Sequence, residues 1–152
     1  MLRMPDRVLS AASVLLVTIW VGSIWSIGYL VAPTLFATLS DRVLAGTIAG
    51  NLFRVGALVS LLCGGALLGL FWFDRNHPSR RTLLRLVAAM LICVLVGYVG
   101  LQPLMAALRE AAGPGGVMDG PSRTQFGILH GVSSLIYLVQ SGLAVALVFK
   151  SR

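Results

Sequence analysis

The chain has 152 residues, of which 57% are hydrophobic and 11% charged, with a mean hydropathy of +0.91. A soluble domain is about a quarter charged, and one this small cannot bury so much apolar side chain without leaving large apolar patches on its surface. Composition therefore excludes a soluble enzyme, a disordered chain and a nucleic-acid-binding domain, and leaves an integral membrane protein. The net charge of +7 fits that reading. The arginines flank apolar segments with no aromatic interleaving, as expected of basic loops held on the cytoplasmic side of a membrane rather than of a nucleic-acid surface.

Four segments are long enough to cross a hydrocarbon core of about 30 Å, which takes about 20 helical residues. The first uncharged run is Val8 to Ser40. It exceeds one span, and Pro33, which lacks a backbone N–H, predicts a kink or a stop near its end. The run is too long for the apolar region of a cleaved signal peptide, so it reads as a retained helix. The second segment runs from about Thr47 to Phe73 with Arg54 inside it, the third is Leu86 to Leu108, and the fourth Thr124 to Phe149. The runs are continuous rather than alternating, which argues against barrel strands. The predicted architecture is all-α: one antiparallel four-helix transmembrane bundle over residues 1–152, with helices at about 8–38, 47–73, 83–108 and 124–149. The links Ser40 to Gly46, Asp74 to Arg81 and Arg109 to Arg123 are short, as neighbouring antiparallel helices require.

Lys and Arg set the orientation. With the N-terminus inside, Arg3, Arg7, Arg75, Arg80, Arg81, Arg85, Lys150 and Arg152 fall on the inner side, and Arg42, Arg54, Arg109 and Arg123 on the outer. Eight against four predicts both termini in the cytoplasm. The spacings Gly22-xxx-Ser26, Gly46-xxx-Gly50, Gly65-xxx-Gly69 and Gly127-xxx-Gly131 predict close helix packing faces.

With this topology, polar residues collect in the outer half of the membrane: Tyr29 and Thr34 on helix one, Asn51 and Arg54 on helix two, Tyr98 and Gln102 on helix three, and Gln125 and His130 on helix four. His130 lies about six residues into its helix, hence about 9 Å deep. An ionisable group at depth faces the bundle interior or a water-filled cavity. Ser133, Ser134, Tyr137 and Ser141 follow it as a polar stripe at helical spacing. Two readings of His130 stand side by side: a metal or haem ligand, proton relay or substrate contact, and a neutral histidine that holds helices together. His77 is on the other side of the membrane and cannot share ligation with it. Arg54 either snorkels to the outer interface or binds an anionic group such as a lipid phosphate or carboxylate, with Glu110 and Asp119 as alternative partners. Gly22, Trp25, Tyr29 and Pro33 share a face predicted to point into the bundle, and Trp20 falls near mid-membrane. Cys63 and Cys93 fall near the midplane of adjacent helices; they are either small apolar fillers or a pair for a soft ion such as Cu(I), to which Met90, Met105 and Met118 add no methionine motif. No CxxC, nucleophile elbow, phosphate loop, HExxH or paired-carboxylate pattern is present, so the chain reads as a non-enzyme with no predicted cofactor.

Three stretches together suggest a relative: WVGSIWSIGYLVAPTLF with Trp20, Gly22, Trp25, Pro33 and Phe36; AGTIAGNLF with Gly46 and Phe53; and FGILHGVSSLIYL with His130, Gly131, Ser133 and Ser134. The segment GYVGLQPLMAALR, with Pro103 and Met105, adds to them. This pattern resembles the small four-helix membrane family typified by transmembrane protein 205, whose bacterial members carry domain of unknown function 4149. The resemblance implies the fold and the membrane location, no established reaction, and a hint of export. Where relatives often have an asparagine seven residues after the histidine, this chain has Tyr137. A looser likeness to copper-resistance membrane proteins keeps metal handling among the alternatives. The expectation is a small transport or export component working in the lipid bilayer, as a homo-oligomer or beside a membrane partner. The alternatives are a helper or scaffold subunit, and a metal- or haem-handling protein using His130.

Overall fold

A computed structural model of the chain describes residues 6–74, 78–113 and 115–151. Arg3, Arg75, His77 and Arg152, which enter the charge count and the loop reading, lie outside the described residues. All regular structure among the described residues is helical. Helix α1 (Asp6–Trp25) passes through a π-helical turn, Ser26–Val31, into α2 (Ala32–Thr38). Helix α3 (Arg42–Phe73) follows. Helix α4 (Arg80–Leu95) passes through a second π-helical turn, Val96–Leu101, into α5 (Gln102–Ala111), and α6 (Gly120–Lys150) completes the chain. Four stretches are long and apolar enough to cross a membrane: Val8–Thr38, Arg42–Phe73, Arg80–Ala111 and Gly120–Lys150.

The helices extend further than the hydrophobic runs predict, because polar residues at their ends act as caps rather than as loop. Asp41 starts α3: its carboxylate accepts from the Val43 and Leu44 N–H groups at 2.9 and 3.0 Å. These are donors that a helix start leaves without an intrahelical partner. Gly46, predicted to end a link, is thus already inside the helix. Asp119 starts α6 in the same way, accepting from the Ser122 N–H at 2.9 Å, and Pro121 fits the first turn, where no N–H is required. Hydrogen bonds from Ser122 hold the Asp119 carboxyl below the usual carboxylate range. At the far end of α3 the Arg80 guanidinium donates to the Phe71 and Trp72 carbonyls at 2.8 and 3.0 Å and lies over the Trp72 ring. A cation is favourable there, because the last carbonyls of a helix carry its negative dipole end.

The two π turns explain why Pro33 bends the chain without stopping it. A proline ring clashes with the carbonyl four residues before it. In both spans the turn just before the proline is wide: the Ala32 N–H reaches back five residues to the Ile27 carbonyl, and the Gln102 N–H to the Gly97 carbonyl. The helix continues past Pro33 and Pro103, with a shift in which face looks inward.

Packing is uneven along the bundle. The buried core joins Val17, Trp20, Val21 and Ile24 of α1 to Cys63, Leu67 and Phe71 of α3, Leu83, Val87 and Met90 of α4, and Ala144 and Leu147 of α6. Trp20 is fully buried. The inward face of α1 is therefore the one carrying Val17, Trp20 and Ile24, whereas Gly22 and Trp25, predicted to face inward, lie on the exposed side. The glycines at close approaches also differ from the predicted pairs. A Cβ on Gly64 would stand 2.6 Å from Leu91 and 2.9 Å from Trp20, and one on Gly56 would stand 2.9 Å from Ile27. Gly22, Gly65, Gly69, Gly127 and Gly131 have open space where a Cβ would go. Their spacing is helical, but the tertiary fold turns those faces outward.

Gly64→Val should therefore destabilise the detergent-solubilised protein by about 1–3 kcal/mol, the usual cost of overpacking, while Gly65→Ala should leave stability unchanged or slightly raised. Denaturant unfolding followed by circular dichroism reads both.

Candidate functional site

Beyond the core, toward α2 and α5, the spans part around a cavity of about 990 Å³. Its walls come from α2 and the π turn before it, the first half of α3, the second π turn with α5, and the first half of α6. A volume of this size lies at the upper end of the range for small-molecule sites, about 300–1,000 Å³. The wall on α3 is built mainly from small residues, Gly46, Ala49, Gly50, Gly56, Ala57 and Ser60, with Phe53 among them and Arg42, Val43 and Thr47 toward the start of the helix. The Gly46/Gly50 pair thus leaves room for an occupant rather than for a neighbouring helix.

Tyr137 forms the floor. Its hydroxyl donates to the Ile24 carbonyl at 2.5 Å, two residues before the first π turn begins at Ser26. Its ring meets Phe53 and Tyr29 edge to face, with centroids 5.4 and 6.3 Å apart. It also lies so close to Gly28 that no Cβ fits between them. Gln140, 5% exposed, lies one turn further in and lines the deepest part of the cavity. On the opposite wall are Tyr98, Gln102 and Cys93.

The structure brings together His130, Ser133, Ser134, Tyr137, Tyr98, Gln102 and Tyr29 at this cavity, along with Pro33 and Phe36. It does not bring Asn51, Arg54, Thr34 or Gln125 there: all four are exposed and none lines it. Thr34 instead donates to the Leu30 carbonyl of its own helix at 2.6 Å. Trp25, Pro103 and Gly131 are also exposed outside the cavity. His130 lines the cavity but is itself exposed, so it stands at the opening rather than in the bundle interior. Its ring stacks on Phe126 at 6.2 Å, and Ser134 donates to its backbone carbonyl at 2.9 Å. Cys63 belongs to the core and Cys93 to the cavity wall, and both are free thiols. Among the described residues no three His, Cys, Asp or Glu side chains stand together in a way that could hold a metal ion.

Sequence reasoning missed the half-buried cation of the site. Arg109 was assigned only to the loop side of the charge count. In the structure it is half-buried, lines the cavity, holds its guanidinium 5.2 Å from the Phe126 ring centroid, and would stand 3.5 Å from a Cβ on Gly50. No ion pair to it is found among the described residues. Arg42 and Glu110 lie at the same rim. The available signal was the repeated Gly-Tyr followed by proline, Gly28-Tyr29 before Pro33 and Gly97-Tyr98 before Pro103. It marks both π turns, and each tyrosine of the pair lines the cavity.

Fold and cavity together define a helical integral membrane protein with a chamber at one end of its bundle. The family described as domain of unknown function, DUF4149, matches residues 15–114, and the chain belongs to that family. The match covers the first three spans and stops before α6, so His130 and Tyr137 lie beyond it. No curated protein and no solved structure matches the chain.

Tyr137→Phe should cost about 1 kcal/mol through loss of the hydrogen bond to Ile24. Tyr137→Ala should cost about 3–5 kcal/mol, because the floor of the cavity goes with the ring. Thermal unfolding of the purified protein separates the two.

Proposed function

We propose that this protein is a small transport or export component of the bacterial inner membrane which takes an amphipathic small molecule into the chamber between its spans. The supporting observation is the chamber itself: about 990 Å³, with mostly apolar walls that carry a few polar groups such as Tyr98 and Gln102, and with charged groups, Arg42, Arg109 and Glu110, at its rim. That division suits a molecule with one polar and one apolar end. The helices run antiparallel in this reading and both termini are cytoplasmic, because the Lys and Arg bias of the sequence places the links on either side of the membrane accordingly. The chamber then opens toward the outer face. The resemblance to transmembrane protein 205 is consistent with export. Four spans are few for a transporter acting alone, so the working unit is a homo-oligomer or includes a partner membrane protein.

The test is occupancy. Protein purified in mild detergent should release a near-stoichiometric amphiphile on organic extraction, detected by mass spectrometry. Gly46→Trp, which fills the chamber where only Phe36 is near, at 3.9 Å from the added Cβ, should abolish it while the helical circular dichroism is unchanged. An empty wild-type chamber, together with a Gly46→Trp variant that supports normal function in cells, would favour the helper or scaffold role instead.

A further inference from the structure

The outer ends of the spans are not joined evenly. Helix α2 packs on α3, and α5 packs on α6, but among the described residues α2 and α6 do not pack along one another, nor do α3 and α5. The gap between α3 and α5 is bridged: Arg109 reaches across to Gly50, and the link after α5 folds back so that Gly116, at φ +62°, sits against Val43. The gap between α2 and α6 has no such bridge. Phe36 and His130 stand on its two sides, both exposed and both lining the cavity. The chamber is thus open sideways, toward whatever surrounds the bundle.

Arg54 shows what surrounds it there. It sits on the outer, exposed face of α3 and makes no ion pair among the described residues. An unpaired guanidinium facing outward belongs in the headgroup layer rather than in hydrocarbon. From Val55 to Phe73 there are 19 residues, about 28 Å of helix at about 1.5 Å per residue, which matches a hydrocarbon core of about 30 Å. Arg54 therefore marks the outer edge of the hydrocarbon. Gly50, the residue beside the Arg109 guanidinium, is one helical turn further out. The cation of the chamber lies at the depth of lipid phosphates. It is half-buried, packed on Phe126 and in no ion pair among the described residues, and burying a cation without a counter-charge is unfavourable. Below it the walls turn apolar through Phe53, Ile27 and Ala57.

We propose that the amphiphile is an anionic phospholipid of the outer leaflet, which moves in sideways between α2 and α6, sets its phosphate on Arg109 beside Gly50 and lays an acyl chain inward over Gly56, Ala57 and Ser60 of α3. This deepens the occupancy reading above and rests on it. A guanidinium fork is well suited to phosphate oxygens. His130 stands at the opening between the two helices, where a headgroup passes.

The test uses the full chain in nanodiscs containing equal amounts of phosphatidylglycerol and phosphatidylcholine, with lipid retention read by native mass spectrometry after ejection. Wild-type protein should retain phosphatidylglycerol over phosphatidylcholine. Arg109→Gln should cut that preference by about tenfold, the scale of one charge-assisted contact. Arg109→Lys should keep part of it, and Arg123→Gln, which changes an exposed cation outside the cavity, should keep all of it. Retention of both lipids equally by wild type, or an unchanged preference in Arg109→Gln, would overturn the assignment of the anionic headgroup. Wild-type protein that retains no lipid at all would overturn the occupancy reading itself, whereas equal retention of both lipids overturns only the headgroup assignment, so the two readings fail separately. A second arm adds oleate to the same discs. Displacement of phosphatidylglycerol by oleate at a few equivalents would overturn the phospholipid assignment in favour of a free carboxylate amphiphile.

Discussion

The packing of Trp20 against Gly64 and Leu91 is the contact on which the rest of the structure depends. Three spans meet at that point, and they can do so only because Gly64 has no side chain. In a bilayer, helices gain little from hiding apolar groups, since lipid is as apolar as leucine, and close backbone approach supplies the attraction. On one side of Trp20 the four spans close into a core. On the other side the two π turns, each followed by a proline, change the helix direction and face, and the spans separate. The chamber follows from a tight knot on one side and bent helices on the other.

At the chamber end the spans are held apart by a small set of polar contacts. Tyr137 satisfies the Ile24 carbonyl at the first π turn and fills the space above Gly28, so the bend in the first span is fixed from α6. Arg109 bridges to α3 with no ion pair among the described residues. The caps at Asp41 and Asp119 start α3 and α6 ahead of their continuous apolar runs, which lengthens the chamber walls. Each of these groups would be costly in a closed apolar bundle, and each is accommodated here by a carbonyl, an aromatic face or a helix end.

Sequence patterns predicted the four spans well, because continuous apolar runs of that length have one structural outcome. They predicted helix ends poorly: Gly46 and the Asp119-Gly120-Pro121 stretch look like turns, but a capping aspartate beside each converts them to helix. They also predicted a polar cluster at one end of the bundle, and His130, Tyr98, Gln102, Ser133 and Tyr137 do meet there. Asn51 and Arg54 do not, because depth along a helix is readable from residue count whereas the facing direction depends on tertiary packing. For the same reason Arg109 was missed: its position at a segment end looks like a loop charge, and only the approach of α5 to α3 shows that it turns inward. The glycine pairs failed likewise. Gly64, the one that matters most, belongs to none of the predicted pairs.

The two native cysteines offer the most direct test of an open chamber at one end of a closed core. Cys63 lies in the core beside Trp20's cluster, and Cys93 lines the chamber. A thiol reacts through its thiolate, which needs access to water. N-ethylmaleimide added to the wild-type protein in vesicles, with each site followed by peptide mass spectrometry, should modify Cys93 well before Cys63, and Gly46→Trp should slow Cys93 alone. Equal protection of both thiols, or faster reaction at Cys63, would contradict the open chamber.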